Sequence, residues 1–117
     1  MSIKPKQPKI KAIIQIDKGE TIAGVWATPQ IPQIGVYKLL AKRRADGIYE
    51  WAHLLQRTDG SKKELYRGEV ESEERLKDVV AGISTTLTNI FGSLAQLKIG
   101  NPEFYSLDGK RLDDTVH

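Results

Sequence analysis

The sequence predicts an α+β domain, an antiparallel β-meander of about four to five strands packed against one long amphipathic helix, with a short C-terminal tail. Three observations predict it. Strand-length apolar stretches between residues 35 and 70 are separated by Asp46-Gly47 and Asp59-Gly60. That is a strong hairpin signal, because both residues tolerate positive φ. After Val70 the apolar period lengthens from two to three and four residues, the spacing of one helix face. The chain of 117 residues is one domain in length and can bury a core without metal or disulfide help.

Taken in order, residues 1–8 read as a disordered basic arm, rich in Lys, Pro and Gln and without periodicity. The domain runs over 9–100. Its first strand is expected at "KIKAIIQID" (9–17), with Ile10, Ala12 and Ile14 on one side. Lys18-Gly19-Glu20 is a turn, and "TIAGVWA" (21–27) is a weaker second strand. The tandem triplet "PQIPQI" (29–34) carries two prolines and reads as an extended, polyproline-like connector, or else as an ordered loop or strand edge. The meander follows as "VYKLLAKRR" (36–44), "IYEWAHLLQR" (48–57) and "KELYRGEV" (63–70).

In the helix, Leu76, Val79, Val80, Ile83, Leu87, Ile90, Phe91 and Leu94 form the apolar stripe. Ser72 is a natural N-cap, and Glu73 and Glu74 complement the helix dipole. Gly100 and Pro102 are the latest possible stop, and Gly82, Gly92 and "STTLT" lower the propensity enough for a break near Gly92. Unbroken, about 27 residues would span roughly 40 Å and overhang a ten-residue strand. Residues 101–117 form a tail or a small hairpin around Asp108-Gly109.

Eighteen basic and 15 acidic residues give a net charge of +3, unevenly placed. Residues 35–70 hold eight basic against five acidic groups, and residues 71–117 the reverse, five against eight. The absence of cysteine excludes a disulfide framework, a thiol nucleophile and a cysteine-held metal, and fits a reducing compartment. No apolar run approaches the roughly 20 residues of a membrane span, and the basic N-terminus lacks the apolar stretch of a secretory signal. The expected setting is the cytoplasm, with no membrane association.

The aromatic stretch "GIYEWAHLLQR" (47–57) carries the functional question. With a two-residue loop at Asp46-Gly47, facing residues have numbers that sum to 93. One face then holds Arg43 with Glu50, Ala41 with Ala52, and Leu39 with Leu54. The other holds Arg44 with Tyr49, Lys42 with Trp51, Leu40 with His53, and Lys38 with Leu55, extended by Arg57 and by Tyr66 on the next strand. Cations interleaved with aromatic rings suit single-stranded nucleic acid, whose bases stack on the rings while Lys and Arg neutralise phosphates. The same residues also suit a core, with lysine stems lying alongside the rings. A three-residue loop would shift the register and bring the other parity of the first strand beside Trp51.

No residue set proposes catalysis, a metal site or a cofactor. Gly-rich phosphate loops, HExxH and GxSxG are absent, and the two histidines, His53 and His117, lie far apart in sequence. The order of strand, three-stranded meander and long helix over residues 9–94 is similar to the coarse plan of Whirly-type and transcriptional-coactivator single-strand DNA-binding proteins. The likeness lies in element order alone and implies no residue roles.

The expected function is a non-enzymatic binding module for single-stranded DNA or RNA, forming a homo-oligomer. Tyr49, Trp51 and Tyr66 would stack bases beside His53, with Lys38, Lys42, Arg44 and Arg57 on phosphates. The alternative is a protein-interaction or assembly subunit that docks other subunits through the helix, the PQIPQI connector and the tail.

Overall fold

The computed structural model describes Ile14 and residues 16–100. The arm expected over 1–8, most of the strand expected over 9–17, and the tail over 101–117 lie outside the described residues.

The strands are β1 (Thr21–Ala27), β2 (Gly35–Arg43), β3 (Tyr49–Arg57), β4 (Lys62–Val70) and β5 (Lys98–Ile99). They form one five-stranded antiparallel sheet in the order β4-β3-β2-β1-β5, with helix α1 (Glu73–Phe91) packed on one side. The α+β meander read from the sequence is therefore the observed architecture. β5 was not anticipated, and it places the C-terminal end of the described chain beside β1.

Both Asp-Gly hairpins use three-residue loops. Arg44 N–H donates to Ile48 O at 2.8 Å and Gly47 N–H to Arg44 O at 2.9 Å. At the next hairpin Arg57 N–H donates to Ser61 O at 2.7 Å and Gly60 N–H to Arg57 O at 2.9 Å. Gly47 and Gly60 take φ of +90° and +91°, the left-handed position that closes a three-residue loop. In each loop the Asp carboxylate accepts the N–H two residues on, from Ile48 at 3.0 Å and from Ser61 at 2.9 Å.

This corrects the two-residue register. Arg43 faces Tyr49, Ala41 faces Trp51, Leu39 faces His53 and Lys38 faces Leu54, so facing numbers on β2 and β3 sum to 92. The single extra loop residue turns the parity of β2 over relative to β3. β4 carries a bulge, since His53 faces Tyr66 but Leu54 faces Glu64, leaving Leu65 as the extra residue.

One sheet face holds Trp26, Tyr37, Leu39 and Trp51 under Val79, Val80, Ile83, Leu87 and Phe91 of α1. Two glycines leave room for the indoles, Gly68 across the strands from Trp51 and Gly24 two residues before Trp26 on β1. A Cβ at Gly68 would lie 2.7 Å from Cζ2 of Trp51, so that ring lies flat over the glycine opposite it, and the Trp26 ring likewise covers Gly24. On the other face Ile14 and Ile16 cover Val25, Leu40, Ala52 and Leu54. Both faces thus have an apolar centre.

Helix α1 begins as expected. The Ser72 hydroxyl accepts the Arg75 N–H at 3.2 Å, and Glu73 and Glu74 occupy the first turn. It ends at Phe91, where Gly92 N–H bonds Thr88 O at 2.8 Å, and a short 3-10 turn (Ser93–Ala95) leads back to β5. Its 19 residues span about 28 Å, close to the roughly 30 Å of a nine-residue strand. The helix therefore matches the sheet and does not overhang it. Ile90 was expected in the core but is 65% exposed.

The PQIPQI connector is a compact loop and not an extended one. Ile31 and Gly35 exchange both backbone hydrogen bonds, at 2.7 and 2.9 Å, around Gln33 at φ +70°. Ile31 packs into the helix-side core while Pro32 and Gln33 are exposed.

Candidate functional site

The eight residues expected to form one nucleic-acid face are divided by the register. Tyr49, Trp51, His53 and Tyr66 lie on the helix side of the sheet, because Trp51 faces Ala41 and His53 faces both Leu39 and Tyr66. Lys38 and Lys42 alternate with those β2 positions and lie on the opposite side. Both are buried. The Lys38 ammonium donates to Gln56 Oε1 at 2.7 Å. That of Lys42 donates to Glu20 at 2.7 Å and lies 3.9 Å from Glu50. The hydrogen bond from Lys42 holds the Glu20 carboxyl below its ordinary range.

Arg44 pairs with Asp46 in its own loop and with Glu69 at 2.7 Å. The bond from Arg44 is also the main reason that the Asp46 carboxyl titrates low. Arg57 donates to Ser61 Oγ at 3.2 Å and meets Lys38 and Gln56 at an open polar cleft of about 430 Å³. The expected pairing of Lys42 with Trp51 is replaced by Lys42 with Glu50.

His53 is the most constrained member. It is 5% exposed, and among the described residues neither ring nitrogen has a hydrogen-bond partner. Tyr66 stacks on it with centroids 6.2 Å apart and planes 13° apart, and Tyr37 approaches it at 5.7 Å. Burial lowers the imidazole pKa, so the neutral ring is favoured.

Two clefts flank α1. On the β4 side, His53, Tyr66, Ile83, Thr86 and Leu87 line an apolar groove of about 270 Å³. Tyr66 is 67% exposed at its rim. Ile90, two turns on from Ile83, falls on the same side of the helix by its spacing. On the β1 side, Trp26, Tyr49 and Leu76 line a cleft of about 230 Å³ together with Ile22, Arg43, Glu73 and Lys77.

Sequence reasoning missed Trp26, Arg43 and Lys77 as neighbours of Tyr49. The signal for Trp26 was Gly24 two residues earlier, which leaves its ring room to lie flat on the sheet.

Among the described residues no three His, Cys, Asp or Glu side chains gather to hold a metal ion. No helix among them is long and apolar enough to cross a membrane. Comparison with known families, curated proteins and solved structures finds no match.

Proposed function

We propose that the chain is a non-enzymatic protein-interaction module that assembles with a second copy of itself along β4. The observation that carries this is the outer edge of β4, which no strand among the described residues pairs, bordered by an apolar groove. β4 is a nine-residue strand at the end of the sheet order. Tyr66 in the middle of the strand is 67% exposed, and Ile90 on the same side of α1 is 65% exposed.

The choice of a second copy comes from charge. β4 opens with Lys62-Lys63 ahead of Glu64, and Glu69, which also pairs with Arg44, and Glu71 follow Arg67 at its other end. An antiparallel pair of β4 strands, related by a two-fold axis near Tyr66, lays each basic end against the other's acidic end. A parallel pair would oppose like charges. Two-fold contacts use the same patch on both copies, and this strand is complementary to itself only in that sense. The charged edge and its bulge discourage unrelated strands, while the polarity selects this one. Cross-strand ion pairs contribute only about 0.2–1 kcal/mol each, so the affinity comes mainly from main-chain hydrogen bonds and from the Tyr66 rings.

Sedimentation equilibrium of the full chain tests this. A concentration-dependent dimer is expected that weakens with added salt. A Lys62→Glu/Lys63→Glu variant and a Glu69→Lys/Glu71→Lys variant should each sediment as monomers, with unchanged circular dichroism. Mixing the two variants should restore a dimer, since their charges are then complementary at both ends. A monomer at every concentration, or a dimer indifferent to both variants, overturns the reading.

A further inference from the structure

On the opposite side of α1 from β4, the cleft walled by Trp26 and Tyr49 has a different chemistry. Strand register builds it, because Thr21, Arg43 and Tyr49 face one another in sequence across β1, β2 and β3 at one end of the sheet. Trp26 reaches back toward that end by lying over Gly24. The first turns of α1 roof it with Leu76, which is buried, and Lys77, which is exposed.

Several cations around the sheet are held by carboxylates. Lys42 is paired with Glu20, Arg44 with Asp46 and Glu69, and Arg67 with Glu64. Among the described residues Arg43 and Lys77 have no ion pair, although Glu73 lines the same cleft. The lining therefore carries two cations against one acid. Their elements reach the cleft from two directions, Arg43 from the end of β2 and Lys77 from the helix. Two half-buried aromatic rings with unpaired cations beside them form a site for a flat ring that carries negative charge. At about 230 Å³ the cleft is smaller than the ~300 Å³ lower bound of common cofactor pockets, so it suits one ring and not an extended cofactor.

We infer that this cleft binds a planar aromatic group with an anionic substituent, the chemistry of a nucleoside monophosphate. A free nucleotide and the terminal nucleotide of a single strand both carry it. The site uses none of the β4 edge and stands or falls independently of self-assembly.

The test is a titration of the ¹⁵N-labelled full chain followed by NMR, where the two indole N–H resonances report Trp26 and Trp51 separately. Adenosine 5′-monophosphate should shift the Trp26 signal and leave Trp51 unmoved. Adenosine should bind about tenfold more weakly, since it lacks the charge-assisted contacts. Arg43→Gln and Lys77→Met should each weaken the monophosphate by several fold without changing adenosine, and Glu73→Gln should tighten it.

A deoxyadenylate hexamer separates the two sources. Binding more than about tenfold tighter than the monophosphate, with a strong salt dependence, assigns the site to a strand. Equal binding assigns it to the free nucleotide. A Trp26 signal unmoved by both ligands, or monophosphate affinity unchanged by both cation variants, overturns the inference.

Discussion

Replacing His53 with leucine should stabilise the domain, which is unusual for a substitution at a position only 5% exposed. The neutral imidazole holds one donor and one acceptor, and neither has a partner among the described residues. An unsatisfied buried polar group costs about 1–3 kcal/mol. Leucine removes both groups at similar volume. It also removes the ring contacts with Tyr66 and Tyr37, each worth about 0.5–1.5 kcal/mol. The net expectation is a gain of roughly 1–2 kcal/mol at pH 7.5, a rise in Tm of at least about 4 °C for a domain of this size.

The gain should widen in acid. Burial lowers the folded-state pKa of His53, so below the unfolded value of about 6.5 the unfolded chain binds a proton that the folded chain resists. The wild type therefore loses stability as pH falls from about 6.5 toward the folded pKa, by at most about 1.4 kcal/mol per pH unit from this group. Above 6.5 the ring is neutral in both states and the term vanishes. Urea denaturation of both proteins at pH 7.5, 6.5 and 5.5 measures each component. A variant no more stable than wild type at pH 7.5, with parallel pH profiles, would show that the ring is satisfied and that the accounting is wrong.

Two further outcomes test the packing. Ser72→Ala should cost about 1 kcal/mol, read as a lower urea midpoint at unchanged slope, because the hydroxyl caps the Arg75 N–H. Gly68→Ala should cost about 1–3 kcal/mol by driving a methyl into the Trp51 indole. Trp51→Phe should relieve much of that loss, and purely additive losses in the double variant would refute the contact.

The helix was legible because its signals are local. Ser72, the two glutamates after it and the apolar period lie within one continuous stretch, and Gly92 marks its end. The two hairpins were legible for the same reason. The register was not, because it depends on whether Ala45 and Thr58 belong to a strand or to a loop. One residue decides it, and that residue moves Lys38 and Lys42 to the side of the sheet away from Trp51. Gly68 does not decide it, because the Leu65 bulge offsets the extra residue of the second loop and leaves Gly68 opposite Trp51 in either register. An indole lying flat on a sheet needs a neighbour without a side chain, and glycine in the middle of β4 supplies one opposite Trp51. β5 was illegible because two residues carry no period, and its pairing with Trp26 and Ala27 depends on a return turn set by tertiary packing.

The open surfaces follow from a mismatch of widths. Five strands at about 4.8 Å spacing make a sheet more than 20 Å across, and a single helix with its side chains is about 10–12 Å wide. With α1 packed on Trp26, Tyr37, Leu39 and Trp51, a strip remains on each side. On the β1 side the return segment fills part of it, with Ala95 and Leu97 buried and Leu97 N–H bound to Ser84 Oγ at 3.1 Å. Among the described residues the end near Trp26 and Tyr49 stays open there. On the β4 side no described segment fills the strip, and Tyr66 and Ile90 stand at its rim. Because the helix separates the two, Tyr66→Asp should abolish self-assembly without altering nucleotide binding at Trp26, and Lys77→Met should weaken nucleotide binding several-fold without altering self-assembly. Loss of both properties in either variant would mean that the helix transmits one site to the other, and that the two strips do not work independently.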